Sequence, residues 1–452
     1  MRHAPSHDFV HRAETRFLQL RPPQALILSF VGLSLLGALL LKLPFASHLP
    51  TSWSQALFTA VSAATVTGLT VLDTGSHFTL FGQCVLLFLI QFGGLGLMTF
   101  GVFIIYLTQD RLSMGHRAAL SEALNQPGQD KLRRLLLSMF GFTAVMELLG
   151  TALLAIQWVP EMGWSRGLYY SFFHAVSAFN NAGFGLRPDN LVAYVANPLV
   201  NTVISLLFIL GGIGFVVIAD LMHTRRFRDF TLHTKIMLLG TLAINAVAMC
   251  AVLALEFGNP ATLGGMADLG GRLWGAWFQA VAPRTAGFNT LDIAALLPST
   301  VLLVMVLMFI GGGSGSTASG IKLSTFIVML VATRAFLKGQ ERPVIFGRSL
   351  DPPTVLKAMA ISIMSLFCVV LATFLLTITE SASFLDLAFE AVSAFGTVGL
   401  TRGVTATLTL PGQCVIMVLM LIGRVGPLTL AFTLANRQRA PIEYPTGAVN
   451  IG

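Results

Sequence analysis

The chain has 452 residues, 55% of them hydrophobic and 11% charged, with a mean hydropathy of +0.78. Water-soluble proteins carry about 25% charged residues, so the composition excludes an ordinary soluble enzyme and points to an all-α polytopic membrane protein. The net charge of +8 is dispersed over several loops, which argues against nucleic acid as a partner. The four cysteines (Cys84, Cys250, Cys368, Cys414) lie singly in apolar runs and imply neither disulfides nor a zinc site.

In chain order, residues 1–23 hold Arg2, Arg12, Arg16 and Arg21 with no cleavage-like site after them, and read as a cytoplasmic N-terminal tail. A first span is predicted over 24–43, then a short helix ending at Ala63, an irregular loop, and a second span over 79–106. This order recurs, giving four units over 24–107, 133–222, 233–335 and 354–436, with a cytoplasmic C-terminal tail over 437–452. The later units have spans over 134–158 and 199–222, 235–256 and 299–335, and 355–379 and 410–435.

One phrase marks each unit. Residues 58–69 read FTAVSAATVTGL, 173–184 FHAVSAFNNAGF, 278–288 FQAVAPRTAGF and 389–400 FEAVSAFGTVGL. The glycines Gly68, Gly183, Gly287 and Gly399 are spaced by 115, 104 and 112 residues, a period that indicates internal duplication.

Two spans per unit give all units one orientation. The tails and inter-unit linkers hold 20 of the 28 Lys and Arg, among them Arg111, Arg117, Arg225, Arg226, Arg334 and Arg342. The positive-inside rule therefore places the linkers and both termini in the cytoplasm. The short helices cannot cross a bilayer, and irregular backbone at membrane depth is tolerated only in a protein interior or a cavity. Four re-entrant loops entering from outside are thus expected around one pseudo-fourfold pore axis, within eight spans.

The loop residues are Thr65, Val66, Thr67 and Gly68; Asn180, Asn181, Ala182 and Gly183; Arg284, Thr285, Ala286 and Gly287; and Gly396, Thr397, Val398 and Gly399. None is acidic, which disfavours a divalent-selecting ring and favours a monovalent cation held by backbone carbonyls. The partly negative C-terminal ends of the short helices favour the same cation. Arg284 is expected to point away from the axis, toward carbonyls or an acid of the Glu390 type.

FNNAGF (179–184), RTAGFNT (284–290) and SAFGTVGL (393–400) resemble, in order, the filter segments of the Trk/Ktr/HKT superfamily of potassium transporters. The resemblance spans nearly the whole chain. It is strongest to the KtrB group, the membrane subunits of bacterial Ktr systems, through a single span before the first filter segment and the tail YPTGAVNIG (444–452). The resemblance implies four span–pore helix–span units, potassium uptake across the bacterial inner membrane, and a homodimer. It also implies a cytosolic KtrA-type ring that binds ATP or ADP, with sodium as a possible activator and no cofactor in this chain. In this superfamily serine at the first glycine accompanies sodium permeation, so Gly68 favours potassium.

The third unit's second span contains Gly311, Gly312, Gly313, Ser314, Gly315, Ser316, Thr317, Ala318, Ser319 and Gly320, then Ile321 and Lys322. Each glycine costs a helix about 1 kcal/mol relative to alanine, so an unwound segment is predicted there. The resemblance implies that it is an intramembrane gate below the filter. A phosphate-binding loop is excluded, because Lys322 does not follow the glycine and no strand precedes it. A GGSG-type intramembrane protease needs a later histidine, and none follows His233. Close helix packing is the remaining structural alternative. Arg424, at the matching place in unit four, is expected to face the pore and bond to the 311–320 carbonyls. Glu147, in mid-span, is read as a carboxylate bonded to neighbouring backbone or a polar partner, in preference to an ion-pathway or coupling-ion carboxylate. A secondary active symporter with a broken-helix site is the alternative function, disfavoured because the repeats are co-oriented.

Overall fold

The computed structural model describes residues 22–107, 129–340 and 342–427. The four N-terminal arginines, Arg111, Arg117 and the tail 437–452 lie outside the described residues. Unit one comprises α1 (Pro22–Leu41), α2 (Trp53–Ala64) and α3 (Leu80–Leu107). Unit two comprises α4 (Gln129–Met162), α5 (Trp164–Phe179), α6 (Pro198–Ile213) and α7 (Phe215–His223). Unit three comprises α8 (Leu232–Glu256), α9 (Leu269–Val281), α10 (Pro298–Phe309) and α11 (Leu323–Leu337). A small antiparallel hairpin, β1 (Val344–Ile345) and β2 (Arg348–Ser349), precedes unit four, which comprises α12 (Pro352–Thr379), α13 (Phe384–Gly396) and α14 (Leu410–Val425).

Among the described residues, α1, α4, α8 and α12 each contain a stretch long and apolar enough to cross a membrane, and no more than a third of each stretch is buried in the protein. Leu148, Ile156, Leu242, Val247, Ile363 and Ile378 lie uncovered on these helices. A helix apolar all round, with its outer face bare, is suited to lipid. The pair α6 and α7 is broken, and α10, α11 and α14 are shorter apolar helices.

The tertiary fold repeats the same fastening in each unit, tying the end of the first long helix to the start of the second. The Phe45 carbonyl accepts from Thr79 Oγ1 (2.7 Å) and Gln157 Oε1 from Asn197 Nδ2 (2.9 Å). Glu256 Oε1 accepts from the Leu297 N–H (3.0 Å) and Glu380 Oε1 from Thr409 Oγ1 (2.5 Å). Each second helix then packs on the short helix of the next unit: α3 on α5, α6 on α9, α10 on α13, and α14 back on α2. The four units therefore close into a cycle. The apolar core lies at their seams, as where Phe58 and Val61 of unit one join Phe395 and Ile416 of unit four.

The reading of 199–222 as one continuous span is corrected. The chain turns by 95° between α6 and α7 at Gly214, whose φ is +107°. A Cβ there would lie 2.7 Å from the Ser314 carbonyl oxygen, and the Phe215 N–H donates to the Gly315 carbonyl at 2.9 Å. The turn thus packs directly against the unit-three break. Gly214→Ala forces a glycine-only conformation onto a side chain, a cost of about 1–3 kcal/mol. It should lower the thermal unfolding midpoint of the purified protein, whereas Gly32→Ala, at a position open to space, should not.

Candidate functional site

The four phrases fold alike. Each short helix ends, and the residue two before the glycine enters the left-handed region: Val66 (φ +56°), Asn181 (+59°), Thr285 (+71°) and Thr397 (+47°). The glycines follow with φ of +89°, +69°, +73° and +93°. Left-handed backbone is a genuine outlier for a β-branched residue such as Val66 or Thr397. It is held by hydrogen bonds running back to the helix. The Thr67, Ala182 and Val398 N–H groups donate to the Ser62, Ser177 and Ser393 carbonyls, each at 2.8 Å. The Gly68 and Gly399 N–H groups donate to Ser62 Oγ (3.1 Å) and Ser393 Oγ (3.2 Å). Unit three has Ala282 in place of the serine and uses a simpler Ala286 N–H to Ala282 carbonyl bond of 3.0 Å.

In a trans peptide the carbonyl points opposite to the N–H. With the N–H groups committed to the helices, the preceding carbonyls face the other way, toward the neighbouring loops. A Cβ on Gly68 would lie 2.4 Å from the Ala182 oxygen, and on Gly183 3.1 Å from the Ala286 oxygen. On Gly287 it would lie 2.3 Å from the Val398 oxygen, and on Gly399 2.3 Å from the Thr67 oxygen. Every glycine thus faces the carbonyl preceding the next unit's glycine, and the fourth loop returns to the first. The structure brings the four glycines and the residue before each into this one ring.

Around the ring the expectations divide. Arg284 does point away, as expected, but not to Glu390. Nη1 donates to Asn245 Oδ1 (3.1 Å) and Nη2 to the Gly311 carbonyl (3.4 Å). Glu390 instead accepts from Thr405 Oγ1 (2.5 Å), the Arg402 N–H (3.2 Å) and Thr401 Oγ1, fastening the strand that leaves loop four. Glu147 has a polar neighbour, and that neighbour is the loop residue Asn180, whose Nδ2 donates to it at 3.1 Å.

Between Phe309 and Leu323 the chain is non-helical. The segment is tied on every side. The Gly313 N–H donates to the Gly212 carbonyl (2.7 Å), the Leu323 N–H to Gly312 (3.0 Å), and Lys322 Nζ to Ala318 (2.6 Å). Arg424, 3% exposed, reaches into it: Nη1 donates to the Thr317 carbonyl and to Ser319 Oγ (3.1 Å). Nη2 donates to the Gly93 and Gly94 carbonyls of α3 (2.5 and 3.1 Å), so one guanidinium joins units one, three and four.

Two elements of the site were missed in the sequence. Gly93, Gly211 and Gly423 stand at matching places on the second helices, where a Cβ would meet the Ala64, Phe179 and Phe395 oxygens within 2.0 Å. The recurring GG or GR pair was the available signal. The second is a direct link from the break to the ring. Thr317 Oγ1 donates to Asn181 Oδ1 (3.2 Å), and Asn181 Nδ2 donates to Thr285 Oγ1 (3.2 Å). No spacing rule announces it.

Comparison with known proteins places this arrangement. The family model TrkH, described as a cation transport protein, matches residues 21–440. The chain is 52% identical to the Ktr system potassium uptake protein B of Bacillus subtilis, over 97% of this chain and 98% of that one. It is 46% identical to the protein of the same name from Vibrio alginolyticus, over 95% of each. It is 38% identical to the potassium/sodium uptake protein NtpJ of Enterococcus hirae, over 96% of this chain and 98% of that one. The crystal structure of the potassium transporter TrkH from Vibrio parahaemolyticus superposes with a TM-score of 0.73 at 18% identity, covering 92% of this chain and 86% of that one.

Ser393→Ala removes the side-chain bond to the Gly399 N–H and should destabilise the purified protein by about 1 kcal/mol. Its effect on the thermal midpoint should match that of Ser62→Ala, since the two hydroxyls make the same bond.

Proposed function

Because the chain belongs to the TrkH family of cation transport proteins, whose matched members are transporters and not enzymes, we propose that it is the potassium-translocating subunit of a Ktr-type uptake system. The observation that carries this reading is the closed ring of four loops with carbonyls turned from their helices toward one another. Backbone oxygens replace a monovalent ion's hydration shell without adding fixed charge. The ring is the selectivity filter, made of the sixteen residues 65–68, 180–183, 284–287 and 396–399, with potassium as the transported substrate. A potassium-uptake-deficient bacterium should grow on low potassium with the wild-type chain and fail to grow with Gly399→Asp. Equal growth overturns the assignment.

In the same reading the segment 311–320, with Lys322 and Arg424, is the gate. Its support is that irregular backbone interrupts a second helix beside the ring, while a buried guanidinium holds its carbonyls. Arg424→Ala and deletion of 314–318 should each raise basal rubidium uptake by cells. Wild-type uptake in both would remove the gate role.

Conduction is proposed to be channel-like and downhill. Flux in liposomes containing the purified protein and no second ion gradient separates this from symport, which would show none. The remaining parts rest on the resemblance to Ktr membrane subunits: eight spans in a bacterial inner membrane, both termini cytoplasmic, a homodimer, and a cytosolic KtrA-type ring that gates through ATP or ADP. Sodium stimulation is part of this reading, supported by the potassium/sodium designation of the Enterococcus relative.

A further inference from the structure

Two buried ionisable side chains stand directly behind the ring, and among the described residues neither meets a side chain of opposite sign. Glu147, on α4, is 7% exposed. Its Oε1 accepts from Nδ2 of Asn180, the first residue of loop two. Arg284, the first residue of loop three, donates to Oδ1 of Asn245 on α8. These contacts occupy the same pair of positions with the polarity exchanged. In unit two the loop supplies the amide and the long helix the ionisable group; in unit three the reverse holds. The preceding unit completes each site differently. Gln91 of α3, two residues before Gly93, takes Asn180 Nδ2 on its Oε1 at 2.8 Å. Ile209 of α6, two residues before Gly211, instead borders a cavity of about 20 Å³ beside Arg284. Loop one needs no such brace, since Thr65 Oγ1 bonds its own helix at the Val61 carbonyl (2.7 Å), and Gly396 has no side chain.

We propose that Glu147 is a positioning residue that sets ion discrimination at the ring, acting through Asn180. The inference rests on the filter reading above. Asn180 Nδ2 carries two hydrogens shared among three acceptors: Glu147, Gln91 and the Val176 carbonyl at 3.0 Å. That clamp fixes the residue immediately before Asn181, whose left-handed backbone turns its carbonyl toward the ring. Of the three acceptors only Glu147 belongs to the long helix of unit two, so its loss unfastens Asn180 from α4. Released from Glu147, the Asn180–Asn181 peptide can shift, and the spacing of loop-two oxygens shifts with it. A ring that selects by carbonyl spacing then loses discrimination before it loses conduction. Glutamine at 147 keeps an acceptor oxygen in place, and leucine does not.

The test is rubidium uptake by proteoliposomes containing the full chain, with sodium as competitor. Glu147→Leu should lower discrimination against sodium by about tenfold, the size of one lost buried hydrogen bond, with a smaller change in maximal uptake. Glu147→Gln should restore discrimination. Wild-type discrimination in folded Glu147→Leu overturns the proposal, as does a Glu147→Gln that behaves like Glu147→Leu. Should Glu147→Leu not be recovered folded, Asn180→Ala breaks the same contact from the other side, and wild-type discrimination in it is equally fatal. Gly399→Asp in the same assay separates the two levels. If it alone alters selectivity, the ring reading stands and the role of Glu147 falls; if it changes nothing, the ring reading falls first.

Discussion

The architecture turns on the disposal of backbone polar groups buried where the four short helices end. Each must find a partner inside the protein, because an unpaired buried backbone group is costly. The four loops meet this demand asymmetrically. Their N–H groups bond backward to helix-end carbonyls and serine hydroxyls, which leaves the carbonyl edges free for the opposite side. One short helix and loop cannot shield those edges. Four in a cycle can, and the missing side chain of each glycine is what lets the next carbonyl approach. The long apolar helices, the seam-like core and the clamps at Thr79, Asn197, Leu297 and Thr409 hold the four short helices at the spacing that closure requires.

The cycle is only approximately fourfold, and its departures lie where regulation and selectivity would need them. Unit three lacks the serine, carries Arg284 in the loop, and breaks its second helix. Unit four places Arg424 where units one and two have Gly94 and Gly212. These departures interlock. The break packs against the turn between α6 and α7 at Gly214, receives Arg424, and touches loop two through Thr317 and Asn181. A movement of the break would therefore release a side chain bonded to two of the four loops. Ring and break are one hydrogen-bonded body, not two devices stacked in series.

Much of this was legible in the sequence because it is written in local chemistry. The repeated phrase marks the ring, since only glycine tolerates both the positive φ and the carbonyl contact at Gly68, Gly183, Gly287 and Gly399. The run from Gly311 to Gly320 cannot sustain a helix. A buried arginine at 424 has to find carbonyls or water. Composition and run length alone fixed the class as helical and membrane-spanning.

What the tertiary structure decided is which partners meet. Arg284 could have taken an acid, and Glu390 was available by type, yet the geometry gave Arg284 an amide and a carbonyl and gave Glu390 two threonines and an N–H. Glu147 was open to backbone or a polar partner, and its helix gave it Asn180. The bend at Gly214 packs against a segment a hundred residues downstream. Sequence periodicity determines what a residue can do within its own turn of helix or loop. A partner brought in by the closure of four units is decided only when the ring forms, because the contact belongs to the arrangement and not to either strand of sequence.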